Sequence, residues 1–507
     1  MAKIIQYLIA LLAIALPLQT VLSQLIINSW KLPESLNLWK EVVVGGLMLY
    51  FAASIARNLF QKGETWHNKS QKYWSLILIS LLTIWIVISG LAINQIGLKV
   101  FVIGFRFELW WLWFFVLAHN WLLTRPFKTN PNNWKGFYKL LDRIILAGLL
   151  IVVGLGITVQ IFGPEAVLPS LGFSSNPSSI SPPVCHLIDF NQTSCRLAAG
   201  FSSPNHLAAY LILVWPVTIW SLIKSKSKLG KIGFGILNLI ILIFISLSYA
   251  RFSWLAVATG VGVILTLNFG SFIKKFQHNS RNNPVILERL EKISQILEEV
   301  KTHSKISRAT KIILGLILIL PIFIGIFAIN LPPEVLTKLP AGLAKPSSTA
   351  LHYMHTMTSL DLLKENPQQI LTGFGIGSSG PAAKADYYDI YNAKIIKENA
   401  VIPYRWGLLE KDLTIPESWY LQLIINGGII YALLYLVLVS IPVWPLLRIF
   451  GGQRVSNVQI FVALAFFGIL IGNLFLHVWE SQSVALYGTI IWIWLGLLEA
   501  QQLSEKI

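Results

Sequence analysis

The 507-residue chain is 55% hydrophobic and only 12% charged, so its average residue suits lipid or a protein interior; a soluble domain would carry roughly twice that charge. Its formal net charge is +17, yet Lys and Arg lie mainly in short segments between apolar runs. That distribution speaks for membrane orientation and against a nucleic-acid partner. Nineteen Trp residues, many clustered at the ends of apolar runs as in Glu108-Leu109-Trp110-Trp111-Leu112-Trp113, fit rings lying at the headgroup level.

A crossing needs about twenty apolar residues. Candidate spans fall near residues 4–23, 41–59, 75–94, 106–123, 142–162, 206–223, 232–249, 253–270, 312–330, 419–447, 458–476 and 483–499. The expected fold is therefore an all-α polytopic membrane protein of about 12 transmembrane helices, with the tenth run long enough to contain an interfacial stretch. A cleavable signal peptide is the alternative reading of the first run, since Met1-Ala2-Lys3 precedes it and Val21-Leu22-Ser23 loosely resembles a cleavage site.

Every second connection is basic. Arg57, Lys62, Lys69 and Lys72 form one such segment; Arg125, Lys128, Lys135 and Lys139 the next; Lys224, Lys226, Lys228 and Lys231 the third. The alternation puts both termini on the cytoplasmic side. The two cysteines, Cys185 and Cys195, share one connection on the opposite side. Two free thiols there are one reading. A disulfide is the favoured one, because an exposed pair so close in sequence tends to oxidise in such a compartment. No metal-type Cys/His spacing surrounds them.

Two connections are long enough for structure of their own. Residues 271–311, on the inner side, hold Ile286, Leu287, Leu290, Ile293, Ile296, Leu297 and Val300 in a helical stripe among charges, which suits a helix on the membrane surface or a docking site for a cytoplasmic partner. The outer connection, about 331–417, lies between the ninth and tenth spans. It begins with Pro332, Pro333, Pro340 and Pro346; Leu351, Met354, Leu360, Leu362 and Leu363 then suggest an amphipathic helix, and Gly373-Phe374-Gly375-Ile376-Gly377 a tight turn.

Arginine at the outer ends of spans is the informative signal, because orientation gives no reason for it there. Arg106, Arg196 and Arg251 are so placed, Arg251 in the short turn Ser248-Tyr249-Ala250-Arg251-Phe252-Ser253. Guanidinium forks suit phosphate oxygens. The alternative is that each pairs with lipid phosphate or with a carboxylate such as Glu108. Glu417, in Pro416-Glu417-Ser418-Trp419-Tyr420-Leu421, is either a general base or a first-turn acid that complements a helix dipole.

Gly200-Phe201 with Pro204-Asn205, Ala250-Arg251 with Trp254, Gly373 to Gly377, and Glu417 to Gly428 together resemble the O-antigen ligase and polymerase family of membrane glycosyltransferases. The likeness covers most of 196–440, and divides the chain into N-terminal helices 1–195, an O-antigen ligase-related region 196–440 and C-terminal helices 441–507. It implies transfer or polymerisation of a glycan from a polyprenyl-pyrophosphate carrier to an acceptor glycan or lipid, on the outer face of a bacterial inner membrane, with no cofactor, metal or nucleotide sugar. Arg251, Arg196 and Arg106 would hold the pyrophosphate, and Glu417 would be the catalytic base. Asn205, His206, His352 and His355 are further candidates. Ala250 stands where the family has Ser, and Glu417 or Ser418 where lipopolysaccharide ligases have His, which leans towards a polymerase or exopolysaccharide enzyme. An anion transporter of bicarbonate type, built on the same domain, is the competing reading; a membrane scaffold whose outer loop binds a partner is a third.

Overall fold

The computed structural model describes residues 2–60, 72–124, 132–174, 183–187, 195–262, 356–357, 359–380, 418–450, 455–473 and 482–504. The expected inner helix of 271–311, the ninth span and most of the outer connection lie outside them. The described residues form an all-α, multi-pass membrane protein. Seven helices are long and apolar enough to cross a membrane, and up to nine spans result if each of two bent helix pairs is one crossing.

In chain order the helices are α1 (Ala2–Ala15), α2 (Gln19–Gln24), α3 (Trp39–Leu59), α4 (Trp74–Val87), α5 (Leu98–Glu108), α6 (Trp110–Leu122) and α7 (Asn132–Phe162). A two-residue hairpin follows, β1 (His186–Leu187) with β2 (Cys195–Arg196). Then come α8 (Pro204–Lys224), α9 (Lys228–Leu247), α10 (251–262), α11 (Trp419–Val439), α12 (Asn457–Gly472) and α13 (Gln482–Ser504).

The apolar runs that fall on described residues are helical, but several are not straight rods. The first run breaks at Leu16–Leu18, where Pro17 lacks an amide donor, and its halves turn through 85°. The fourth begins earlier, at Leu98, and bends by 46° between Glu108 and Trp110. The tenth stops as a regular helix at Val439, because Pro442 diverts it into a 3-10 turn, Ile441–Val443, and a short helix, Trp444–Phe450. Elsewhere the starts follow capping chemistry. The Ser203 side chain accepts from the His206 amide, with Pro204 at the first helical position of α8, and Ser456 with Gln459 closes a reciprocal box on α12.

The bundle is organised around α13, which packs on α1, α6, α7, α8 and α12. Buried residues make up 72% of its apolar window, against 22% for α3 and α9, so α13 is a core helix and those two are peripheral. Its Tyr487, Ile490, Ile491 and Trp494 are almost fully enclosed. Without a hydrophobic drive between helices in lipid, such contacts are carried by dispersion and by close approach at small residues. Gly496 faces Leu122 of α6 and Gly468 of α12 faces Ala256 of α10.

The expected amphipathic helix of the outer connection is present over 359–365, with Leu362 and Leu363 buried and Leu360 exposed. The glycine turn after it has positive φ at Gly373, Gly375, Gly377 and Gly380, as a backbone turning repeatedly in the left-handed half of conformational space requires. It docks on a break in α11. Gly428 there has φ 78 and ψ 178, and the Phe374 and Gly375 amides donate to the freed carbonyls of Ile425 and Asn426 at 2.7 and 3.1 Å. Trp85 of α4 donates to the Gly427 carbonyl at 2.8 Å, and Asn94 to that of Gly373 at 3.1 Å. An interrupted membrane helix is tolerated because its carbonyls are satisfied in this way.

A Cβ at residue 428 would fall on the Leu371 carbonyl in a left-handed conformation, so Gly428→Ala should cost about 2 kcal/mol or more. Thermal unfolding of the purified protein in detergent checks this. Gly46→Ala, on α3 with nothing within 4 Å, should leave the midpoint unchanged or raise it.

Candidate functional site

The C-terminal end of α9, the turn 248–250 and the N-terminal ends of α8 and α10 meet at one end of the bundle, and the hairpin lies over them. The hairpin is short because a disulfide closes it: Cys185 and Cys195 are bonded, with Cα atoms 5.3 Å apart. That bond sets His186 opposite Arg196 in the antiparallel register. The Leu197 amide then donates to the Leu247 carbonyl at 3.0 Å, tying the hairpin to α9.

Arg196 is fixed from two sides. Its Nε donates to the Ser248 carbonyl at 2.8 Å and its Nη2 to Oδ1 of Asn205 at 2.8 Å. Burial, and then the charge of Arg251, lower its pKa to about 10, so two guanidinium groups lie close enough to repel. The turn carrying Arg251 is itself shaped by side chains. The Ala250 amide donates to Ser248 Oγ at 3.3 Å, and the Ser253 hydroxyl donates to the Ala250 carbonyl at 2.5 Å. Tyr249 at φ 50 and Ala199 at φ 46, both left-handed without being glycine, flank the two arginines. Backbone strain of this kind persists where surrounding contacts over-determine it, and it concentrates at functional sites.

Four sequence-selected residues are thereby brought together: Arg196, Arg251, Asn205 and His206. His206 Nδ1 is 2.7 Å from Ser202 Oγ. His186, which no motif marked, joins them. Burial and the Arg196 charge hold its imidazole neutral, with a pKa of about 4. The only sequence signal for it was its place beside Cys185.

Arg106 is engaged differently. On α5 it forks onto Oε1 of Glu41 on α3, through Nε at 3.1 Å and Nη2 at 2.5 Å. Of the two readings offered for it, a carboxylate partner is the one observed, and that carboxylate is Glu41 rather than Glu108. Glu108 is instead buried at the bend between α5 and α6. Asn426 and Gln422 (3.3 Å) donate to its Oε1 and Tyr431 to its Oε2 at 2.8 Å. Asn426 Oδ1 accepts from the Ser379 amide at 2.9 Å and from the Ser378 and Ser379 hydroxyls at 3.0 and 2.8 Å. This second polar centre locks the glycine turn to α11.

Glu417, His352 and His355 lie outside the described residues. The residue pair after Glu417 is described, and its position is informative. The Trp419 amide donates to the Asn473 carbonyl at 3.0 Å, and the neighbouring Gly472 packs so closely on the Phe252 ring that a side chain there would collide with it. The start of α11 thus sits at the same end of the bundle as the Arg251–Phe252 turn.

Electrostatically the cluster is positive. Two helix N-termini, of α8 and α10, add their partial positive charge to two guanidinium groups in a partly desolvated place. The described residues therefore define a multi-pass helical membrane protein with a cationic polar cluster at one end of its bundle. Neither the protein-family models nor the curated proteins compared with this chain gave a match.

Because the disulfide sets the His186–Arg196 register, replacing both cysteines, Cys185→Ser with Cys195→Ser, should lower the thermal midpoint by an amount corresponding to about 2–4 kcal/mol.

Proposed function

We propose that this protein is a membrane glycosyltransferase of the O-antigen ligase or polymerase type, acting in cell-surface or exopolysaccharide biosynthesis. The observation that carries the reading is the pairing of Arg196 and Arg251, from segments 55 positions apart, in one half-buried pocket. Like charges held together at that cost have a use when a polyanion binds between them. A polyprenyl-pyrophosphate-linked glycan presents such a group at the membrane boundary.

In the proposed reaction an acceptor hydroxyl oxygen forms a bond to the anomeric carbon of the carrier-linked sugar. The bond from that carbon to the pyrophosphate oxygen breaks, and its electron pair leaves with the phosphate. Arg196 and Arg251 stabilise the charge developing there. The hydroxyl proton passes to a base, for which Glu417 is the candidate. Trp419, two residues further on, is tied to the C-terminal end of α12, which packs beside Phe252 next to Arg251, and this favours the role over simple helix capping. Asn205 orients Arg196 rather than touching substrate. The site faces the outer side of a bacterial inner membrane in this reading, with both termini cytoplasmic; the disulfide supports an oxidising compartment for it.

A second reading, anion transport, is favoured by one feature. The break of α11 at Gly428 and the bend at Glu108 put two discontinuous helices around a buried carboxylate, as suits the coupling cation or proton that a secondary transporter moves with its anion.

Purified wild-type protein supplied with polyprenyl-pyrophosphate-linked oligosaccharide should release the carrier pyrophosphate and extend or transfer the glycan. Arg251→Ala and Glu417→Gln should each lower turnover by about 100-fold or more with folding intact. No turnover in the wild type, together with bicarbonate uptake by proteoliposomes that Glu108→Gln abolishes, would replace the transferase reading by transport.

A further inference from the structure

The pocket contains one polar atom that the reaction above leaves unused. His186 Nε2 is buried and makes no hydrogen bond. A buried nitrogen without a partner forfeits the hydration it had in water, so its position calls for a ligand. The neutral ring carries one proton, and in the tautomer that holds it on Nδ1 the unpartnered Nε2 presents a lone pair.

His186 lies in a cationic surround. The charged and titratable groups about His186 among the described residues are Arg196 on β2, His206 on α8 and, beyond Arg196, Arg251 on α10. The disulfide and the hairpin register leave His186 little freedom to move away from Arg196. With the pocket empty, a third positive charge there is opposed by the two guanidinium groups. With a polyvalent anion between them, the sign of the local field reverses, and a proton on Nε2 both gains the anion as a neighbour and gives the nitrogen its missing hydrogen bond.

We infer that His186 is an additional ligand of the anion in the Arg196–Arg251 pocket, taking up a proton as a phosphate group binds and donating it from Nε2 to a phosphate oxygen. This rests on the reading of the pocket as a pyrophosphate site. The device adds a third donor to the two guanidinium groups, loads it only when the substrate is present, and meets the further negative charge that the pyrophosphate gains as it leaves. The proton then sits beside the oxygen on which the leaving group's electron pair collects. After the carbon–oxygen bond breaks, the same proton can move to that oxygen, so the pyrophosphate leaves as a weaker ligand and His186 returns to its neutral state.

The test uses full-length protein in detergent with sulfate as the probe, because sulfate keeps a constant charge from about pH 8 to about pH 5, the range in which imidazole changes its own. Tryptophan fluorescence reports affinity, and calorimetry in two buffers of different ionisation enthalpy counts protons. The wild type should bind more tightly as pH falls, by up to about tenfold per pH unit, since one proton taken up links affinity to pH with that slope. Calorimetry should show uptake of a proton, rising towards one per anion. His186→Gln should bind with no slope and no uptake. A flat wild-type profile, or an unaltered slope in His186→Gln, overturns the role of His186 while leaving the arginine site standing. Sulfate binding that Arg196→Ala and Arg251→Ala leave untouched, or its absence from the wild type, overturns the underlying site as well. Should His186→Gln fail to fold, the proton count on the wild type still decides the matter.

Discussion

The close approach of two guanidinium groups is the constraint around which one end of the bundle is built. Repulsion in a partly desolvated pocket opposes it, and the fold offsets it by giving Arg196 fixed acceptors, the Ser248 carbonyl and Asn205 Oδ1. Those acceptors must themselves be held. Ser248 ends α9 through its own hydrogen bonds, Asn205 belongs to the capped first turn of α8, and the hairpin that delivers Arg196 is closed covalently. Left-handed backbone at Ala199 and Tyr249 is then the residual cost of bringing three chain segments to one point.

Much of the helical layout could be read from apolar run length, because a span in lipid must satisfy all its backbone polar groups within itself and so leaves a long uninterrupted signature. Bends were harder to see. Pro17 inside the first run is a visible cause in hindsight, but Glu108 was read as the boundary of a span when it is the pivot of a helix pair. A carboxylate within an apolar run marks either an end or a buried polar centre, and only its distant partners on α11 distinguish them. Hydropathy is equally blind to rank: α9 and α13 look alike as apolar runs, yet one is peripheral and the other central.

The pocket was legible to the extent that its residues are charged and stand at span ends. Arg196 and Arg251 were found on that ground, and Asn205 and His206 through the helix start that follows. Arg106 met the same criterion and has a carboxylate partner, because Glu41 on α3 reaches it across a span boundary that no local pattern encodes. His186 carried no signal beyond adjacency to a cysteine, since what distinguishes it is an unpaired ring nitrogen, a property of the folded surroundings.

The anchoring of the glycine turn has one further consequence. Residue 379 is fastened to Asn426, and α11 begins at Trp419, so the chain between Gly380 and Ser418 departs from and rejoins nearly the same two turns of one helix. Its closure entropy is already settled by those anchors, and lengthening such a segment twofold costs only about 0.6 kcal/mol. Anchors so near one another fix both ends of the chain that joins them, as a constant framework fixes the stems of an antigen-combining loop.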